Sequence, residues 1–199
     1  MAGSRRAPEG DAWLRDAERS RAALLDAAQI EFADHGLAGA RVDDIAARAG
    51  LNKQLISYYF GGKQGLYNAI IERWYAQERE FDAPGTTLVD LVLRYLQSGY
   101  DGQHLQRMFL RETLDQDPTT VAYEPDSAEV AGLRERQQAG EIAAELDPAF
   151  VLLFLQAMVA SGVMFPGDAK RLTGLDPTTQ DFYERAQDQL SRIVKRLAQ

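Results

Sequence analysis

The chain has 199 residues, 45% of them hydrophobic, enough for one mid-sized domain or for a small domain joined to a larger one. It has no cysteine, so disulfides, thiolate metal sites and cysteine nucleophiles are excluded. The formal net charge is −8 and is unevenly spread: residues 1–63 carry nine basic and nine acidic groups, the remainder 13 basic and 21 acidic. A neutral leading segment lacks a broad positive field, so any contact with nucleic acid has to rest on a few well-placed cations.

Residues 1–17, with Pro8 and Gly10, read as a flexible arm whose Arg5 and Arg6 are candidates for a minor groove. Nothing there resembles a secretory signal, which points to a cytoplasmic protein. Helical periodicity then sets in. Leu24, Leu25, Ala28 and Phe32 share one face, and Gly36 is placed to end that helix. A short helix over about 43–49 turns Ile45, Ala46 and Ala49 inward. Gly50 follows, then a second short helix over about 53–59. A long helix over about 64–80 carries a stripe of Leu66, Tyr67, Ile70, Ile71 and Trp74.

Pro84 and Gly85 interrupt the pattern, and further helices follow. Thr87 is placed to cap a helix carrying Leu88, Leu91, Val92, Tyr95 and Leu96. A second carries Leu105, Met108 and Phe109, and a third covers about 126–139 before Gly140. A fourth begins at Pro148 behind Asp147 as its cap. Its run from Ala149 to Phe165 is almost wholly apolar and reads as a helix buried on several sides rather than a membrane span. A short helical turn is expected around 170–173. The last helix, about 179–197, aligns Phe182, Ala186, Leu190, Ile193 and Leu197. No strand of useful length is expected, so the fold class is all-α.

The most informative stretch is Val42 to Phe60, VDDIAARAGLNKQLISYYF. A helix-turn-helix crosses two short helices at a steep angle through a tight turn. Ala46 is small enough for the point of closest approach. Gly50 suits a turn residue with positive φ. Leu51 can plug the core, and Ile56 and Tyr59 can anchor the inner face of the second helix. An ordinary helical hairpin meets some of the same demands.

From Ala22 to Trp74 the sequence resembles the TetR family of regulators. Phe32 and Gly36 match the end of that family's first helix. Asp44 to Gly50 match its D-I-A-x-x-A-G stretch. Tyr58, Tyr59, Phe60 and Lys63, then Leu66 and Tyr67, match its aromatic recognition-helix end and fourth-helix start. Further on, Gly140-Glu141-Ile142 and Leu146-Asp147-Pro148 are loosely similar to its lead into the eighth helix. Two positions depart: Arg41 stands where a Thr commonly opens the second helix, and Ser57 where a Tyr is common. Capping at the first of these passes, on this reading, to Asp43.

The resemblance implies an N-terminal three-helix helix-turn-helix domain (18–62) and a C-terminal helical ligand-binding and dimerisation domain (63–199, with 63–80 as connector). It implies a homodimeric repressor released from a palindromic double-stranded DNA operator by a small-molecule effector, with no enzymatic activity, cofactor, metal or membrane. The expected DNA contacts are Arg41, Asn52, Lys53, Gln54, Ser57, Tyr58 and Lys63. Gln54, in the first turn of the recognition helix, has the chemistry to bond adenine in a bidentate fashion. Asn52 is first a helix cap and second a DNA contact. The candidate effector pocket comprises Trp74, Tyr95, Tyr100, His104, Met108, Phe109, Phe154 and Met158, each of which also suits plain core packing. The expected dimer face comprises Phe150, Phe154, Ala157, Phe182, Ala186, Leu190, Ile193 and Leu197, pairing with its copy as a four-helix bundle.

Overall fold

A computed structural model describes residues 10–199, with side chains from Leu14 onward. These residues form ten α-helices and no strand. Compactness divides the chain at Ala76–Gln77 into two units.

The first unit contains α1 (Gly10–Gly39), α2 (Val42–Ala49), α3 (Gln54–Phe60) and most of α4 (Lys63–Glu78). Residues 1–9, with Arg5 and Arg6 of the expected arm, lie outside the described residues. The rest of that arm is corrected: helix begins at Gly10, not after residue 17. Leu14 to Arg19 contain no Gly, Pro or β-branched residue, and Arg19 pairs with Asp16 one turn back at 2.9 Å. At Gly36 the backbone leaves helical geometry (φ 68°, ψ 171°), and one further turn runs to Gly39.

The core of this unit is built on helical spacing. Leu24, Ala27, Ala28 and Phe32 of α1 are buried with Ile45 and Ala46 of α2, Ile56 of α3, and Leu66, Tyr67 and Ile70 of α4. Phe32 meets the Tyr67 ring edge-on at 5.3 Å between centroids. Burying a side chain of this size contributes about 1.5–3 kcal/mol. A few such residues therefore hold the short helices, which are too short to be stable alone.

The second unit contains α5 (Leu88–Asp101), α6 (Gln103–Asp115), α7 (Ala128–Gln138), α8 (Pro148–Met164), α9 (Pro166–Thr173) and α10 (Gln180–Lys195). Thr87, Ser127, Asp147 and Thr179 cap α5, α7, α8 and α10 by accepting a backbone N–H through the side chain. The turn expected near 170–173 is a full two-turn helix, because Pro166 opens it and a left-handed Gly174 closes it. Leu88, Val92, Leu96, Leu133, Ile142, Val151, Leu155, Tyr183, Leu190 and Val194 form one buried cluster. Tyr100 stacks on Tyr183 at 4.8 Å.

The reading of the apolar run 149–165 as a helix buried on several sides is corrected. α8 packs on α5, α6 and α7, and it buries Val151 and Leu155. Phe150, Leu153 and Phe154 stay 59%, 56% and 58% exposed. Among the described residues no single helix is long and apolar enough to cross a membrane. α8 and α9 pass such a test only together, and they bend by 86° at their junction.

Candidate DNA interface

The helix-turn-helix begins with sterics. Ala46 is 4% exposed, and Ile45 and Ile56 are almost fully buried. Gly50 closes α2 in left-handed geometry (φ 66°, ψ 29°). Its N–H and that of Leu51 bond back to Ala47 O and Ala46 O at 3.1 and 3.0 Å. A side chain at Gly50 would be strained by its backbone conformation alone. Leu51 is half-buried over the turn.

The start of α3 is fixed by Asn52, whose Oδ1 accepts the Gln54 N–H at 2.9 Å. This is the capping role expected of it. Ile56 turns inward, while Gln54, Ser57 and Tyr58 are exposed. Spaced i, i+3 and i+4, those three occupy one face of the helix. Tyr58 is 71% exposed and braced edge-on by Tyr59 at 5.0 Å. The face carries an amide, a hydroxyl and a phenol, which suit base edges and phosphate oxygens.

The cations are arranged differently from the sequence expectation. Lys53 Nζ lies 2.8 Å from Asp43 Oδ1. The Lys53 amine, by hydrogen bond and then by charge, holds the Asp43 carboxyl below the usual carboxylate range. Asp43 therefore does not cap α2, a correction. Arg41 is the residue at that cap, and no side chain there accepts a backbone N–H from within the helix. Instead the Arg41 N–H itself points to Glu31 Oε1 at 3.5 Å, and Glu31 is 3% exposed. The Arg41 guanidinium is exposed, 4.0 Å from Asp44.

Lys63 donates to Ala38 O at 3.2 Å and Ala40 O at 3.0 Å, joining the end of α1 to the start of α4. Two of the three ammonium N–H groups are used in this way, leaving one.

Two further residues were missed by sequence reasoning. A Cβ at Gly65 would lie 1.7 Å from Phe60 O, so α3 and α4 approach closely there. Arg21 of α1 donates to Tyr59 O at 3.3 Å, and its guanidinium sits 4.9 Å from the Phe60 ring centroid. A Gly in a helix and an Arg four residues before an apolar one are common, so neither stood out before the partners were known.

The expected pocket residues do not converge. Trp74 is half-buried in the first unit, whereas the other seven belong to the second. Tyr95 donates to Glu78 Oε1 at 2.8 Å and meets Phe81 edge-on at 5.1 Å. Burial, then the Glu78 hydrogen bond, raises its pKa above the ordinary tyrosine value. Met108 is buried, Phe109 and Met158 are half-buried, and His104 and Phe154 are exposed. Of these residues Tyr100 alone borders a small recess of about 40 Å³ in the second unit, with Leu96, Gln103, Gln106, Phe182 and Tyr183 among its walls.

On the expected dimer face, Phe150, Phe154, Ala157 and Ile193 are exposed. Phe182, Ala186 and Leu197 are half-buried, and Leu190 is turned into the unit's own core.

A buried two-helix scaffold carrying one exposed polar face on its second helix defines a helix-turn-helix DNA-binding protein. Comparison with known proteins agrees. The model of the bacterial regulatory proteins of the tetR family matches residues 24–70. The HTH-type transcriptional repressor SCO4008 of Streptomyces coelicolor is 32% identical over 195 residues, covering 92% of this chain and 98% of that protein. The HTH-type transcriptional regulator RutR of Escherichia coli is 26% identical, covering 89% of this chain and 92% of that protein. The crystal structure of the transcriptional regulator SCO4942 from Streptomyces coelicolor shares the fold with a TM-score of 0.67 at 24% identity, over 87% of this chain and 97% of that one. The chain belongs to the TetR family and is a DNA-binding transcriptional regulator, not an enzyme.

Proposed function

We propose that the protein is a cytoplasmic homodimeric repressor that leaves a palindromic operator when a small molecule binds its C-terminal domain. The carrying observation is the exposed Gln54, Ser57 and Tyr58 face of α3 above a buried Ile56. In this reading Gln54 meets base edges, and Asn52, Ser57, Tyr58 and Arg41 meet the backbone. Lys53 leaves Asp43 to reach a phosphate, and Lys63 offers its remaining N–H to another. Residues 18–62 read DNA, and residues 63–199 bind effector and dimerise.

The exposed apolar face of α8, with Ile193 of α10, supports a homodimer, since a patch of this kind needs cover. A two-fold dimer puts two copies of α3 into successive major grooves, roughly 34–36 Å apart or a variant of that spacing. An effector lowers operator affinity only if it binds the two conformations unequally. Tyr95, Tyr100, His104, Met108, Phe109, Phe154 and Met158 of the second unit are the candidates for sensing it.

The test is a selection of random DNA duplexes on the full-length protein, followed by a salt titration of the enriched sequence. A symmetric half-site pair should emerge. Affinity should fall steeply with salt, with a log–log slope of about −0.9 per phosphate contacted. Enrichment of no sequence, with weak salt-insensitive binding, would replace the regulator reading with that of an interaction module.

A further inference from the structure

The second unit holds one buried arginine among its described residues, Arg136 near the end of α7, 8% exposed. Its Nη1 donates to Thr86 O at 2.8 Å and to Glu141 Oε1 at 3.1 Å, and its Nη2 donates to Asp82 Oδ1 at 2.5 Å. Glu141 turns its other oxygen to the Leu88 N–H, the first amide of α5. One guanidinium thus joins the end of α7 to both sides of the 79–87 segment, which leads from α4 into α5.

The same segment is gripped from α5. Arg94 donates to Phe81 O at 2.6 Å and to Thr86 Oγ1 at 3.3 Å. The Tyr95 hydroxyl holds Glu78, the last residue of α4. A buried guanidinium is costly unless its donors are paired, and here they are paired with a carbonyl and two carboxylates. Removing one partner breaks the set rather than a single bond. α7 in turn packs on α8, the helix with the exposed apolar face.

We infer that Arg136 is a positioning residue that clasps the exit of α4 to the body of the second unit, and that operator affinity depends on this clasp. The inference rests on the DNA-reading proposal. α4 starts in the first unit at Lys63 and ends in the second at Glu78, so one unbroken helix leads from the DNA-reading unit to the clasp. Lys does not substitute here, because a point charge cannot reach Thr86, Glu141 and Asp82 at once as a planar fork does.

The experiment compares the full-length protein with Arg136→Met, Arg136→Lys, Asp82→Asn and the Arg136→Met/Asp82→Asn double variant. Hydrogen exchange by mass spectrometry and affinity for a duplex selected on the wild-type protein are both read. Amides in 76–88 should exchange at least about tenfold faster in Arg136→Met and Arg136→Lys, with 24–60 unchanged. Operator affinity should fall at least about threefold in Arg136→Met. The double variant should lose no more than Arg136→Met alone, because both changes open one clasp. Three results overturn the inference: unchanged exchange in 76–88, acceleration spread evenly along the chain, or full operator affinity despite an opened clasp. Failure of the wild-type protein to enrich any duplex overturns it together with the DNA reading, whereas failure of the variants alone overturns only the inference.

Discussion

Lys63→Met separates two roles that sequence and structure give to one side chain. The substitution keeps the apolar stem and removes the amine. That amine now bonds Ala38 O and Ala40 O, and Ala40 is 3% exposed. A hydrogen bond to a charged group contributes about 1.5–3 kcal/mol. The Ala38 bond lies in solvent, so we take the low end and expect a loss of about 2 kcal/mol in all. For a chain of 199 residues each kcal/mol moves the midpoint by about 2–4 °C, which gives a fall of about 4–8 °C. A circular-dichroism melt of the full chain reads this. In parallel, the salt dependence of operator binding should weaken by about one unit of log–log slope if the third N–H reaches a phosphate. A midpoint within about 2 °C of wild type would refute the joint between α1 and α4. A lowered midpoint with an unchanged slope would refute the phosphate contact.

Three further outcomes follow from individual contacts. Gly65→Ala drives a Cβ onto Phe60 O, so the turn between α3 and α4 must shift; we expect a loss of about 3 kcal/mol in a denaturant titration and impaired operator binding. Tyr95 has a raised pKa, from burial and then Glu78, so the stability it contributes is whole below its ordinary value of 10.0 and declines as pH rises beyond it. Tyr95→Phe should cost about 1 kcal/mol at neutral pH and should flatten the alkaline decline in melts taken between about pH 9 and pH 11. Phe154→Ala removes one exposed ring per subunit from the α8 face. With about 1.5–3 kcal/mol for each of two copies, sedimentation should show dimer association weakened by at least about a hundredfold.

Features governed by local demands were legible in the sequence. Ala46, Gly50 and Ile56 answer to sterics within one turn of chain, and Thr87 and Asp147 cap helices that begin beside them. The exposed face of α3 follows from the same short-range spacing. Contacts between distant residues were not legible. Lys63 meets carbonyls 23 and 25 positions away, and Arg136 meets Asp82 and Thr86 across 54 and 50 positions. Neither pairing leaves a periodic trace. Charge pairing also reassigned Lys53 and Asp43 to each other, which composition alone does not reveal. The α8 run shows why an apolar stretch is ambiguous: the sequence pattern is equally consistent with core on several sides and with a face kept for a second subunit. Leu190, aligned with Ile193 and Phe182 by spacing, faces inward because helical spacing orders a stripe without saying which edge of it is covered.

The DNA reading is tested most directly by the Gln54→Ala/Tyr58→Ala double variant in a binding titration against a selected duplex. Both side chains are exposed and neither supports the core, so the melting midpoint should stay within about 2 °C of wild type. With a bidentate amide contact at about 1–3 kcal/mol and a phosphate contact beside it, specific affinity should fall by at least roughly a hundredfold, toward the level of unrelated DNA. A folded double variant that binds the selected duplex as the wild-type protein does would contradict α3 as the reading helix.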